Sequence, residues 1–216
     1  MPDFSKLVPT VIEKGIEKVD LSMFDEPTKK ALLNAVGEEY LRKGRLVEAL
    51  KVFALAMNRE RLAAVGDEYT KMQNFTSAAD AYLLAGATRK LLELGERCFR
   101  EGALAGAVRA FKAAGEQTRL ALVGEECVKK AKFDVAIEVF ALLGDRRRLS
   151  EIGEACMKDG KFAYAAKAFE LAGDKDSLSR LGDFCLKENL VNAALSAYEL
   201  AGNKIMVEFI RQNFLK

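Results

Sequence analysis

The chain has no histidine and no tryptophan, and its charges almost cancel. The missing histidine removes the commonest general base and the commonest metal ligand. Against 34 basic residues stand 32 acidic ones, and the net of +2 gives little pull toward nucleic acid or an anionic membrane. Long apolar runs are missing too; the stretch 52–57 is far too short to span a bilayer. Residues 1–20 lack the basic start, apolar stretch and small-residue cleavage site of a secretory signal. These absences lead us to expect a cytoplasmic protein with no membrane insertion. What is present is apolar material for a substantial core, 50% of residues, in a chain that is 31% charged.

The apolar residues are laid out on a fixed beat. Gly37, Gly66, Gly95, Gly124, Gly153 and Gly182 follow one another at intervals of 29 residues. A single irregular core has no reason to keep such an interval, whereas stacked copies of one supersecondary unit do. Four residues before each glycine stands leucine (Leu33, Leu62, Leu91, Leu120, Leu149, Leu178), and three after it stands Tyr40, Tyr69, Cys98, Cys127, Cys156 or Cys185. These positions share one face of a first helix. Farther on, a second helix carries alanine at 49, 78, 107, 136, 165 and 194, and an aromatic residue at 53, 82, 111, 140, 169 and 198. Between the two, Gly44, Gln73, Gly102, Ala131, Gly160 and Asn189 mark the turn. Gly86, Gly115, Gly144, Gly173 and Gly202 end the second helix, with Met57 in the first copy. Asn58, Asp145, Asp174 and Asn203 are then placed to cap the next helix.

The expected fold is an all-α solenoid of six antiparallel helix hairpins, over 29–57, 58–86, 87–115, 116–144, 145–173 and 174–202. Residues 1–28 form an N-terminal cap, with one helix through Leu7, Val11, Ile12 and Ile16. Leu21, Met23 and Phe24 cover the first hairpin, and Pro27 opens its first helix behind Asp25. Residues 203–216 form a C-terminal capping helix, with Val207, Ile210 and Phe214 in the core register. Met206, Phe209 and Leu215 fall outside it and predict association at that end.

The residues Val36-Gly37-x2-Tyr40 with Ala49-x3-Phe53, and Val65-Gly66-x2-Tyr69 with Ala78-x3-Tyr82, resemble the tetratricopeptide repeat. The later copies match with cysteine in the tyrosine place. The period is 29 rather than 34, leucine replaces the family's tryptophan, and its proline is absent. The short period is nearer the hairpins of coatomer and intraflagellar-transport proteins. The resemblance implies a right-handed superhelix whose first helices line a concave groove that binds peptides or partner proteins, without catalysis or cofactors. The family's carboxylate clamp, asparagine one residue after the glycine and lysine three before it, is not reproduced, so recognition of a free carboxyl terminus is disfavoured.

Candidate chemistry is read against this lattice. The four cysteines fill one slot in successive copies, so they are expected in the core rather than in a metal or disulfide site. One residue after each glycine is acidic (Glu38, Asp67, Glu96, Glu125, Glu154, Asp183), and five after it is basic (Arg42, Lys71, Arg100, Lys129, Lys158, Lys187). The two columns either pair with each other along the helix or line a groove that selects a partner. Leu41, Phe99, Val128, Met157 and Leu186 lie beside them and offer that groove an apolar floor, with Phe99 and Met157 as the leading contacts. Arg146–Arg148 is the one tight basic run. Three functions are weighed: a protein or peptide scaffold, which leads; a nucleic-acid-binding repeat, disfavoured by the acid beside every base; and a structural repeat that assembles end to end. An enzyme is not expected, because an active site is singular and these residues recur.

Overall fold

A computed structural model describes residue 4 and residues 6–215. Every regular element among them is helical, and none of the helices is long and apolar enough to cross a membrane. The chain divides into two compact units, residues 1–116 and 117–216.

The first unit opens with α1 (Leu7–Lys14) and a short 3-10 turn (Ile16–Lys18). Three antiparallel pairs follow: α2 (Glu26–Arg42) with α3 (Leu46–Leu55), α4 (Arg59–Lys71) with α5 (Phe75–Ala85), and α6 (Thr88–Glu101) with α7 (Leu104–Ala114). The second unit holds α8 (Gln117–Lys129) with α9 (Phe133–Leu143), α10 (Arg146–Lys158) with α11 (Phe162–Ala172), and α12 (Lys175–Lys187) with α13 (Val191–Ala201). Helix α14 (Lys204–Phe214) packs on α13. Within each unit the second helix of a pair also packs on the first helix of the next, as α3 does on α4 and α11 on α12. The helical-repeat architecture expected from the glycine beat is the one observed.

The glycine beat has a steric cause. A Cβ built on Gly37 would lie 2.5 Å from the ring of Phe53, and one on Gly153 would lie 2.5 Å from that of Phe169. Gly66, Gly95, Gly124 and Gly182 stand in the same relation to Tyr82, Phe111, Phe140 and Tyr198. Each first helix therefore gives up a side chain so that the aromatic ring of its own partner can lie against its backbone. Glycine inside a helix costs about 1 kcal/mol relative to alanine. Burial of a large aromatic ring more than offsets this, at roughly 3 kcal/mol or more when the ring is lost. The leucines four residues before the glycines, and the tyrosines and cysteines three after, are all buried around these rings.

Each first helix ends in one device. The amide of Arg45 donates to the Tyr40 carbonyl, and the Gly44 amide to that of Leu41, the paired bonds of a Schellman motif. The same bonds recur at Asn74, Ala103, Lys132, Lys161 and Leu190, so the core tyrosine or cysteine always supplies the carbonyl. The motif requires a left-handed residue. It is glycine at 44, 102 and 160, but Gln73 (φ 57°) and Ala131 (φ 53°) adopt it against the preference of a Cβ-bearing backbone, as Met57 does (φ 55°) at the end of α3.

The expected caps form. Asn58, Asp145, Asp174 and Asn203 each accept from the backbone amide three residues on, and Asn74 does the same for α5. Asp25 accepts from Thr28, and Pro27 lies in the first turn behind it. Two caps also reach back to the preceding pair. Asn58 Nδ2 donates to Asn34 Oδ1 at 2.8 Å, and Ser150 Oγ donates to Asp174 Oδ2 at 3.0 Å.

Three expectations about the termini need correction. The single N-terminal helix is broken at Gly15 (φ 83°), so Ile16 belongs to the 3-10 turn and not to α1. Met23 points into solvent and covers nothing, while Leu21 and Phe24 are half-buried. At the other end Ile210 is buried and Val207 half-buried, but Phe214 is exposed. Phe214 occupies the tyrosine–cysteine slot of α14, and among the described residues no second helix closes over it.

Candidate interaction surfaces

Leu41, Phe99, Val128, Met157 and Leu186 are half-buried, Arg100, Lys129, Lys158 and Glu96 are exposed, and Glu125 and Glu154 are half-buried. The first unit holds Leu41, Glu96, Phe99 and Arg100, and the second holds the rest.

The two charged columns do not pair with each other as the spacing suggests. Four of the acids, Glu38, Asp67, Glu125 and Glu154, turn toward the next first helix, where a cation in or near the first turn meets each. Arg61 Nε lies 2.5 Å from Glu38, and Lys90 Nζ 2.6 Å from Asp67. Arg148 bonds Glu125, and Arg180 bonds Glu154. The bases of the other column turn instead to the neighbouring glutamate: Arg42 to Glu39 and Lys71 to Glu68, both at 2.6 Å, and Lys129 to Glu126 at 3.9 Å. Arg100, Lys158 and Lys187 form no ion pair among the described residues. Such exposed pairs contribute about 0–1 kcal/mol each, so they set register between pairs more than they add stability.

Two tyrosines join this network from the core. Tyr82 donates its hydroxyl to Asp67 at 2.8 Å, and Tyr198 donates to Asp183 at 2.6 Å. Burial, reinforced by the carboxylate neighbour, pushes the Tyr82 phenol up to about 12 and raises Tyr198 further. The basic run is also engaged: Arg147 bonds Glu151 at 2.9 Å, and Arg148 bonds both Glu151 and Glu125.

All four cysteines are buried and free. Burial raises every thiol, Cys98 and Cys156 to about 11, so they are protonated at neutral pH and behave as small apolar side chains. A cavity of about 260 Å³ lies between the N-terminal segment and the first pair, lined by Ile12, Ile16 and Tyr40. Its charged rim is self-compensated, with Arg45 bonded to Glu48 and Lys51 to Glu17.

At the C-terminal end Met206 is half-buried, while Phe209 and Leu215 are exposed. The rings of Phe209 and Phe214 meet edge to face with centroids 6.1 Å apart. Ile205, which the sequence reading overlooked, is 81% exposed.

A second feature was also overlooked. Eighteen residues after the glycine, on the solvent side of the second helices, stand Leu55, Leu84, Leu142, Leu171 and Leu200. Their exposure runs from 39% at Leu200 to 60% at Leu55. The recurrence is present in the sequence, but each leucine directly precedes a core position. Between α9 and α11 these leucines border an open groove of about 520 Å³.

No protein-family model matches the sequence, and no curated protein is similar to it. Solved structures with a loose likeness to the chain include the following two. One is described as the crystal structure of the APC/C hetero-tetramer Cut9-Hcn1, at 15% identity and a TM-score of 0.29, over 99% of this chain and 46% of that one. The other is a circular tandem repeat protein with novel repeat topology and enhanced subunit contact surfaces, at 16% identity and a TM-score of 0.16, over 96% of this chain and 54% of that one. The chain thus spans about half the length of each.

Proposed function

We infer that the chain is a non-enzymatic, tetratricopeptide-like interaction module that binds a protein or peptide segment. In this reading its six 29-residue repeats run from 29 to 202, between caps at 1–28 and 203–216, and it works in the cytoplasm, where four free thiols stay reduced. The observation that carries it is that the groups able to do chemistry are consumed by the lattice. The thiols are buried, two tyrosines are bonded to aspartates, and most of the first-helix acids are tied to cations of the next pair. What remains for solvent is a recurring pattern of half-buried apolar residues and unpaired bases, which suits recognition of a segment rather than turnover of a substrate. The near-neutral net charge of +2 counts against nucleic acid.

The first-helix set is the candidate contact face, with Phe99 and Met157 at its centre. Affinity capture from cell extract, with Phe99→Glu and Met157→Glu as controls, tests it. A partner captured by the parent and lost by the variants supports the face, and an unchanged partner list rejects it. Capture of nothing above background by the parent rejects the module itself. The exposed Ile205, Phe209, Phe214 and Leu215 favour end-to-end assembly as a second reading. Light scattering should then show an oligomer that Phe209→Glu dissolves; a monomer at all concentrations excludes it.

A further inference from the structure

We propose that the second-helix side of residues 117–216 is a docking surface for a basic amphipathic segment of a partner protein. The proposal rests on the interaction-module reading but not on its first-helix face.

Three observations converge on it. In this unit the second helices crowd together: α9 and α11, and α11 and α13, bring Cα atoms within 8 Å of each other, an approach that neighbouring first helices barely reach. Leu142, Leu171 and Leu200 project from these crowded helices in register, each about two-fifths exposed, and the first two border the groove between α9 and α11. Exposed leucines repeated at one position add little to the core, so the row is apolar area left for something else to cover.

Charge decides the occupant. Asp134, Glu138 and Glu170 lie along these helices without an ion-pair partner among the described residues, and Lys167 is the one cation lining the groove. Glu138 and Lys167 hold equivalent positions on α9 and α11 yet form no ion pair. The carboxylate excess fits a segment that sets leucine-like side chains into the groove and lysine or arginine beside them.

The test uses the full chain and two fluorescein-labelled amphipathic peptides, one of leucine and lysine, the other of leucine and glutamate in the same pattern. Anisotropy should show the lysine peptide binding more tightly by about tenfold or more. Leu142→Asp with Leu171→Asp should abolish that binding, with the melting curve unchanged. Because both substitutions add negative charge, attraction by charge alone would strengthen binding instead. Val128→Asp with Met157→Asp should leave it unaltered. Equal binding of the two peptides, binding by neither, or retention in the leucine variant overturns the proposal. Loss only in the Val128 and Met157 variant overturns it while supporting the first-helix face. A dimer of the unliganded chain that the leucine substitutions dissolve also overturns it, since a second copy would then be the occupant.

Discussion

Replacing Gly153 by alanine sets two effects against each other. Alanine favours the helix by about 1 kcal/mol over glycine, so on an open helical face the change would stabilise. Here the new methyl would lie 2.5–2.9 Å from three atoms of the Phe169 ring. Ordinary contact needs roughly 3.5–4 Å, so the ring or α11 must retreat by about 1 Å. Phe169 is fully buried and has no empty side to move into. Overpacking of this kind costs about 1–3 kcal/mol, and the expected net loss is about 1 kcal/mol. For a chain of this length that lowers the melting temperature by about 2–4 °C. The discriminating variant is the same substitution in a Phe169→Leu background. Leucine lacks Cε1 and Cζ, and its Cδ methyls can rotate away from the α10 backbone, so the clash is relieved and the helix preference returns. Gly153→Ala should then be neutral or stabilising, although Phe169→Leu alone destabilises. Thermal and urea unfolding followed by circular dichroism give all four corners of the cycle. If alanine stabilises the parent and the Phe169→Leu chain equally, the glycine does not exist to seat the ring and the account of the beat is wrong.

Other positions carry their own tests. Ala131→Gly relieves a left-handed alanine and should raise stability by about 0.5–1 kcal/mol by urea midpoint, whereas Gly102→Ala, at the equivalent turn, should lower it by about 1–2 kcal/mol. Asp145→Ala removes the cap of α10 and should cost about 1 kcal/mol, with Asp145→Asn recovering most of it. Cys98 and Cys156 should resist a thiol reagent at pH 8 in the native protein and react at once in denaturant; equal rates would contradict their burial. Tyr82 has a folded pKa above its unfolded value, so its contribution is complete below about pH 10 and is lost as pH rises toward about 12. Unfolding midpoints should fall across that window, and less steeply in Tyr82→Phe.

The helix pairs were legible because their determinants are local and repeated. The buried leucine, glycine, alanine and aromatic columns each express one contact, and six copies average away the noise of any single one. What the sequence left ambiguous is what depends on direction. An acid four residues before a base looks like an intrahelical pair, but the next first helix places Arg61, Lys90 and Arg148 nearer, and proximity across helices is not written in spacing. Asn34 and Ser150 bond the caps of the following pairs, a contact between helices that spacing along one helix does not show. The leucine row on the second helices was hidden by its adjacency to the core. Phe214 keeps the core register, yet no second helix among the described residues covers it.

The linkers between pairs have a mechanical consequence. Each is one left-handed residue followed by a cap whose side chain is often bonded forward, and sometimes backward as well. A joint so short leaves little slack for a hinge, and bending within a unit must be divided into small adjustments shared by several joints. The first joint departs from the others: Met57 holds a conformation that glycine holds elsewhere, and its side chain lies in solvent with no packing to compensate. Under load or heat, α3 and α4 should part before the glycine-jointed pairs do.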